Sequence, residues 1–189
     1  MSAGKIIFIN GTSSSGKSTI LHAIQNSQED VYLECGIDKF IWMMPERYLD
    51  RPLWNDVLGL ANKAGAAGHQ LVRGMHQAIK ALSLAGCNVL ADHVLVDPDW
   101  ARECAVLFSS LPAYLVGVNC PIEILEAREQ NRKNRTLGQA GLQLPLIHKF
   151  SIYDVEVDSS QQSIEDCVNS ILSCVAQPPT GLRKMLKML

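Results

Sequence analysis

One stretch near the amino end has the residue types and the spacing needed to hold a chain of phosphates. Residues 11–18 follow the pattern G-x-x-x-x-G-K-[ST], directly after an apolar run and directly before a helical pattern. In such a loop the backbone N–H groups and the helix amino terminus face the phosphates, the lysine reaches the β- and γ-phosphates, and the last hydroxyl binds Mg²⁺. The motif therefore predicts a nucleotide-binding loop, and Lys17 also has a predicted catalytic role. The predicted binding residues are Gly11, Thr12, Ser13, Ser14, Ser15, Gly16, Lys17, Ser18 and Thr19.

A second candidate position lies at the end of the predicted strand 88–92. Asp92 closes this strand, where a nucleotide-binding fold holds a carboxylate that binds Mg²⁺ directly or through water. We therefore predict a Mg²⁺ site formed by Ser18 and Asp92, although an aspartate at a strand end is also a common turn residue. The adjacent His93 fits either a catalytic or a structural role.

A third candidate, Asp38, comes just beyond the predicted strand 31–35. A carboxylate at this position can orient and deprotonate an attacking hydroxyl group. An aspartate is equally suited to be the N-cap of a helix over 39–44, and both interpretations stay open. The apolar side chains that follow Asp38 fit either a substrate pocket or a buried helix. They are Phe40, Trp42, Met43 and Met44.

Three arginines follow within one short segment. Arg128 and Arg132 are four residues apart, on one face of a predicted helix, and Arg135 lies beyond it. Planar guanidinium groups stabilise the charge that develops during phosphoryl transfer, and a segment that carries them can close over a nucleotide. We predict an arginine-bearing lid at about 131–143, with Arg128 binding nucleotide and Arg132 and Arg135 acting in catalysis. The alternative is a solvated basic helix end, which the helix dipole favours.

These positions must be held by the elements around them. Short apolar runs alternate with helical patterns along the whole chain, which predicts parallel strands joined by right-handed crossovers, an open α/β sheet with helices on both faces. Ligands of such sheets lie outside the carboxyl ends of the strands, where the candidate residues are. The predicted strands are 5–10, 31–35, 88–92, 113–119 and 153–157. The predicted helices are 18–27, about 68–85 with Gly86 as its stop, one from Pro98, one from Pro121 to about 132, and one from Ser163 to 175.

The composition narrows the class of protein. The chain has 189 residues, of which 47% are hydrophobic and 19% charged, with a formal net charge of −2. This is the balance of a globular protein, and we predict one domain over 1–177. The lack of a basic excess argues against a nucleic-acid partner. Because no apolar run reaches the roughly 18 residues that a membrane helix needs, we expect no membrane partner and a cytoplasmic location. The oligomeric state stays open.

The cysteines and the carboxyl end give weaker signals. The six cysteines are scattered and contain no C-x-x-C pair. That spacing is poor for zinc and for a disulfide framework, so we predict reduced thiols in the cytosol. Residues 178–189 form a basic and apolar tail, which we expect to be frayed rather than a short surface helix.

Beyond the phosphate loop, three segments resemble the chloramphenicol phosphotransferase family of P-loop kinases. They are residues 36–45, the arginine run 128–135, and residues 153–158. The segment 153–158, Tyr-Asp-Val-Glu-Val-Asp, is the most specific of the three, because phosphate-loop chemistry in general does not require this sequence. The order and spacing of the segments are similar over about residues 5–176.

This resemblance implies a P-loop NTPase three-layer fold, with a five-stranded parallel sheet of order 2-3-1-4-5 like that of nucleotide and shikimate kinases. It implies Asp38 as the base, Arg132 and Arg135 in the lid, and the loop 158–162 near the adenine. The family pattern has a second aspartate where His93 stands, and residues 47–68 are unlike the family. The identity of the acceptor therefore stays open.

The sequence as a whole predicts a phosphotransferase that moves the γ-phosphoryl group of ATP, with Mg²⁺, to a hydroxyl group of a small and partly apolar molecule bound near 38–68. Chloramphenicol, a sugar, a shikimate-like compound and a nucleotide are the candidate acceptors. A nucleotide-dependent regulatory module that transfers nothing is the alternative from another class. GTPase switches carry the pattern D-x-x-G at such an aspartate, whereas residues 92–95 read Asp-His-Val-Leu. This difference argues against a GTPase switch.

Overall fold

Five parallel strands form the centre of the computed structural model, which describes residues 2–46, 65–131 and 137–188. The strands are β1 (Ile6–Asn10), β2 (Tyr32–Glu34), β3 (Asn88–His93), β4 (Ala113–Asn119) and β5 (Val155–Asp158). Their order in the sheet is β2-β3-β1-β4-β5, and every neighbouring pair is parallel. This confirms the predicted sheet and its order, with β1 at the centre.

Helices cover both faces of the sheet. Those in the described residues are α1 (Lys17–Ser27), α2 (Ile37–Ile41), α3 (Gly65–Leu84), α4 (Pro98–Phe108), α5 (Ile122–Gln130), α6 (Gln139–Ile147), α7 (Ile164–Val175) and α8 (Gly181–Lys187). Alternate residues of β1 enter opposite cores, because side chains of a strand alternate between its faces. Ile6 and Phe8 pack with α3 and α4, whereas Ile7 and Ile9 pack with α1 and α7. This confirms a three-layer α/β fold.

Local chemistry fixes several helix ends where the sequence predicts them. Pro98 is the first residue of α4, and the Asp97 side chain before it accepts hydrogen bonds from two N–H groups of the first turn. Ser163 is the N-cap of α7, and its Oγ accepts a hydrogen bond from the Asp166 N–H at 3.1 Å. Gly86 has φ +91°, the left-handed conformation that commonly ends a helix.

The segment that follows the arginines differs from the prediction. Part of the predicted lid, 131–143, belongs to α6, which buries Gln139, Ala140 and Gln143. The polar composition of this stretch hides a helix, because two of its glutamines are buried rather than exposed. Residues 132–136 of the predicted lid, and residues 47–64 of the predicted substrate region, lie outside the described residues.

The expectation of a frayed tail is wrong. Residues 181–187 form α8, which packs Leu182 and Met185 into the core beside α4. One carboxylate holds this helix in place: Asp154 Oδ1 accepts hydrogen bonds from Thr180 N at 2.6 Å and Gly181 N at 2.8 Å, while Oδ2 accepts one from Leu115 N at 2.8 Å. Among the helices in the described ranges, none combines the length and the apolar character needed to cross a bilayer.

Replacement of Asp154 by alanine is therefore expected to destabilise the fold. Three backbone N–H groups lose a charged acceptor, and such bonds typically contribute about 2 kcal/mol each at partly buried sites. We expect Asp154→Ala to lower the free energy of unfolding by about 2 kcal/mol or more, measured by urea denaturation. The exposed Glu126→Ala is the control, and equal stability of the two variants would contradict this role.

Candidate active site

The phosphate loop joins the carboxyl end of β1 to the amino end of α1. Ser14 and Gly16 have φ of +62° and +89°, so the backbone turns sharply before the helix begins at Lys17. The hydroxyl oxygens of Ser13, Ser14 and Ser15 are buried and have no hydrogen-bond partner in the described residues. Buried polar atoms are nearly always hydrogen-bonded. Three of them lie in one turn, the turn in which the motif predicts bound phosphates.

The Lys17 side chain lies across this loop. It is 7% exposed, and its Nζ donates hydrogen bonds to the carbonyl oxygens of Gly11 at 2.8 Å and Thr12 at 2.6 Å. These carbonyls hold the ammonium group beside the turn in which the serine hydroxyls lie. A phosphate bound there meets a fixed positive charge.

The two candidate aspartates meet the loop at one cleft. Asp92 lies near the end of β3 and is 8% exposed. A methyl group added to Gly36 would overlap Asp92 Oδ1, so this carboxylate packs directly against the residue that precedes α2. Asp38 is the second residue of α2. The cleft is lined by Ser13, Ser14, Ser15, Gly16, Lys17, Ser18, Ile37, Asp38, Asp92 and Val94.

The region after β2 had two open questions: whether Asp38 is a base or an N-cap, and whether the apolar residues after it line a pocket or form a buried helix. The N-cap of α2 is Gly36, not Asp38, so the capping interpretation of Asp38 is wrong. The apolar residues after it divide between the two predicted roles. Phe40 and Met44 are partly buried against the core, whereas Trp42 is 62% and Met43 is 75% exposed.

Arg128 connects the phosphate loop to the loop that follows β5. Its Nη1 donates to Ser159 Oγ at 3.1 Å and to Ser14 O at 3.4 Å, and its Nη2 donates to Ser159 O at 3.0 Å. This places one predicted nucleotide-binding arginine against the loop. Arg132 and Arg135, the other two predicted arginines, lie outside the described residues.

The next residue, Glu129, fixes the helix after the arginine run. This carboxylate is 2% exposed and accepts hydrogen bonds from Gly138 N at 2.9 Å and Ala140 N at 2.8 Å. Unpaired N–H groups at the start of a helix favour a negative charge, so Glu129 anchors the amino end of α6 to α5. Two neighbouring residues in the last turn of α5 therefore contact different elements: Arg128 contacts the phosphate loop, and Glu129 contacts α6.

Gln143 is a site residue that the sequence does not reveal. This glutamine of α6 is fully buried, and its Oε1 accepts a hydrogen bond from Ser13 N at 2.6 Å. The only signal is a glutamine within a pattern of apolar helix residues, which does not indicate its partner. One N–H group of the phosphate loop is therefore held by the helix that follows the arginine segment.

His93 lies apart from the cleft. It is 1% exposed, and its Nε2 lies 2.8 Å from His76 Nε2 within the core. This surrounding favours the structural interpretation of His93 over a catalytic one.

Comparison with known proteins agrees with this geometry. The family model described as chloramphenicol phosphotransferase-like protein matches residues 4–176. A Mycobacterium tuberculosis (strain H37Rv) protein named "Putative O-phosphotransferase Rv2636" is 29% identical over 184 residues, which cover 90% of this chain and 82% of that protein.

Solved structures of kinases share the fold. A sugar kinase from Janibacter superposes with a TM-score of 0.67 at 18% identity, covering 94% of this chain and 97% of that one. The APS kinase CysC of M. tuberculosis gives 0.66 at 14% identity, covering 94% and 100%. A gluconokinase from Sinorhizobium meliloti gives 0.64 at 17% identity, covering 93% and 94%.

A charge at position 143 is expected to weaken nucleotide binding. Gln143→Glu keeps an acceptor for Ser13 N–H but places a negative charge beside the loop, which repels phosphates. We expect the Kd for ATP to rise about tenfold or more, the equivalent of about 1.4 kcal/mol, measured by calorimetry. The matched control is Gln177→Glu, which adds the same charge at an exposed site near the start of β4. Equal affinities of the two variants would exclude Gln143 from the phosphate site.

Proposed function

Because the chain belongs to the chloramphenicol phosphotransferase-like family, a family of phosphotransferases, we propose that it transfers the γ-phosphoryl group of ATP to a hydroxyl group of a small molecule. The observation that carries this proposal is the group of three buried serine hydroxyls without partners in the phosphate loop, beside the anchored Lys17 ammonium. Both features suit a bound triphosphate.

The residues of the cleft also suit Mg²⁺. Ser18 and Asp92 line it together and offer hydroxyl and carboxylate oxygens, the donors that Mg²⁺ prefers. When bound, the ion neutralises charge on the β- and γ-phosphates. Arg128 contributes a further positive charge where the phosphate loop meets Ser159. We propose that Arg132 and Arg135 stabilise the charge on the phosphoryl group during transfer.

Asp38 is the proposed base. It is half-buried at the cleft, and its position within α2 is not that of an N-cap. As the acceptor oxygen bonds to the γ-phosphorus, its proton passes to the Asp38 carboxylate, and ADP leaves with the electron pair of the broken P–O bond. The exposed Trp42 and Met43 just beyond suit an acceptor with an apolar or aromatic body.

The acceptor class is tested by turnover. The full chain is incubated with Mg²⁺ and γ-labelled ATP and a panel of hydroxylated compounds: chloramphenicol, sugars, gluconate, shikimate and nucleosides. Label transferred to one class of acceptor supports the proposal and names the substrate. ATP binding without transfer to any compound, or hydrolysis unaffected by all of them, favours the regulatory alternative.

Asp38→Asn is expected to remove most of the transfer to the acceptor that the panel identifies. Asparagine keeps the size of the side chain but cannot accept the proton, and loss of general base catalysis costs about 10²–10⁴-fold in rate. We expect kcat to fall by that factor, while the Kd for ATP and the melting temperature stay close to those of the wild type. Asp30→Asn, an exposed change just before β2, is the control. A turnover number within twofold of the control would exclude Asp38 as the base.

A further inference from the structure

Three buried side chains from three elements converge beneath the sheet, outside the phosphate cleft. His76 lies on α3, His93 ends β3 and Cys104 lies on α4, and each is at most 1% exposed. Their ligating atoms all lie within 4.8 Å of one another. Phosphoryl transfer as proposed above uses none of them.

Hydrogen bonding fixes the outer side of this cluster and leaves its ligating atoms facing one another. His76 Nδ1 lies 2.7 Å from Glu103 Oε2, and because a carboxylate only accepts, this nitrogen carries a proton. His76 Nε2 then faces His93 Nε2 at 2.8 Å and Cys104 Sγ at 3.4 Å.

We propose that His76 Nε2, His93 Nε2 and Cys104 Sγ form a structural zinc-binding site that joins α3, β3 and α4. Imidazole nitrogen and thiolate sulfur are the ligands that Zn²⁺ prefers, and binding releases the thiol proton to solvent and shifts the His93 proton from Nε2 to Nδ1. Three protein ligands leave one of the four tetrahedral positions for a water molecule. Glu103 on His76 Nδ1 supplies the carboxylate that commonly orients a zinc-bound histidine.

The two shorter separations between the ligating atoms fit this ion with a small movement. Zinc bonds of 2.0–2.3 Å in a tetrahedron place two nitrogens about 3.3 Å apart and nitrogen and sulfur about 3.6 Å apart. The separation of 3.4 Å between His76 Nε2 and Cys104 Sγ is already close to this value, whereas the two histidines, at 2.8 Å, must separate by about half an ångström. Ligation also moves the His93 proton to Nδ1, so the hydrogen bond from Val94 N is given up.

The spacing of the ligands explains why the sequence gives no zinc signal. His76 and His93 are 17 residues apart, and His76 and Cys104 are 28 apart, unlike the short paired spacings of zinc motifs. Only the parallel crossovers bring them together. Because all three are buried, the ion must enter as the chain folds and exchange slowly afterwards.

The metal content of the full chain tests this site without any assay of transfer, so its outcome is separate from that of the proposed function. Protein is made in zinc-supplemented medium, passed over a chelating resin and analysed by elemental mass spectrometry. We expect about one zinc per chain in the wild type and little in Cys104→Ser, since a serine hydroxyl is a poor zinc ligand. Cys167→Ser is the matched control, because Cys167 is equally buried on α7, outside the cluster.

Refolding supplies a second readout. The unfolded chain is refolded with Co²⁺, and we expect the visible absorption of a tetrahedral cobalt–thiolate complex in the wild type and in Cys167→Ser, but not in Cys104→Ser. Glu103→Gln, a change at a partly exposed residue, folds even where the cysteine variant does not. It is expected to weaken zinc affinity about 10–100-fold, measured by competition with a chelator.

Three results would overturn the proposal. One is a folded wild-type chain that holds no metal and gives no cobalt absorption after refolding. Another is equal metal content in Cys104→Ser and Cys167→Ser. The third is an unchanged zinc affinity in Glu103→Gln.

Discussion

The phosphate loop must keep several backbone N–H groups pointing into one small volume, and the rest of the structure serves that constraint. The loop starts where β1, the most protected strand, ends. Asn10, the last residue of β1, is fully buried. Its Nδ2 donates to Tyr153 OH at 2.7 Å and to Ile147 O at 2.9 Å, and its Oδ1 accepts from Leu95 N at 2.8 Å. One amide side chain thus ties the start of the loop to the segment after β3, to the end of α6 and to the segment before β5.

The same constraint explains why charged groups gather at this edge of the sheet. A turn of N–H groups at a helix start attracts negative charge. Lys17 and Arg128 add positive charge beside this turn, and the carboxylates of Asp38 and Asp92 lie at the same cleft. The four residues come from four different segments: Asp92 from β3, and the others from the helices that follow β1, β2 and β4. Their convergence therefore depends on the strand order, and a change in that order would scatter them.

Local signals in the sequence predict the elements well, because their causes are local. The glycines and serines of 11–18, Pro98, and the Ser163 cap act on their own turns, and the structure has helices beginning where each predicts. Alternating apolar runs predict the sheet. The predictions fail where burial depends on a distant partner. The helix α6 buries Gln143 against Ser13, and α8 is held by Asp154, the residue before β5. Neither partner can be identified from spacing along the chain.

We propose that this loop binds ATP for transfer, and the Lys17→Ala variant tests this role most directly. Mg²⁺–ATP is titrated calorimetrically into the wild type, into Lys17→Ala and into the control Lys5→Ala. Lys5 is exposed and immediately precedes the first residue of β1. Turnover is followed on the same samples. We expect ATP binding by the wild type and Lys5→Ala, and loss of transfer in a folded Lys17→Ala chain. No ATP binding by the wild type, or near-normal turnover in Lys17→Ala, would contradict it.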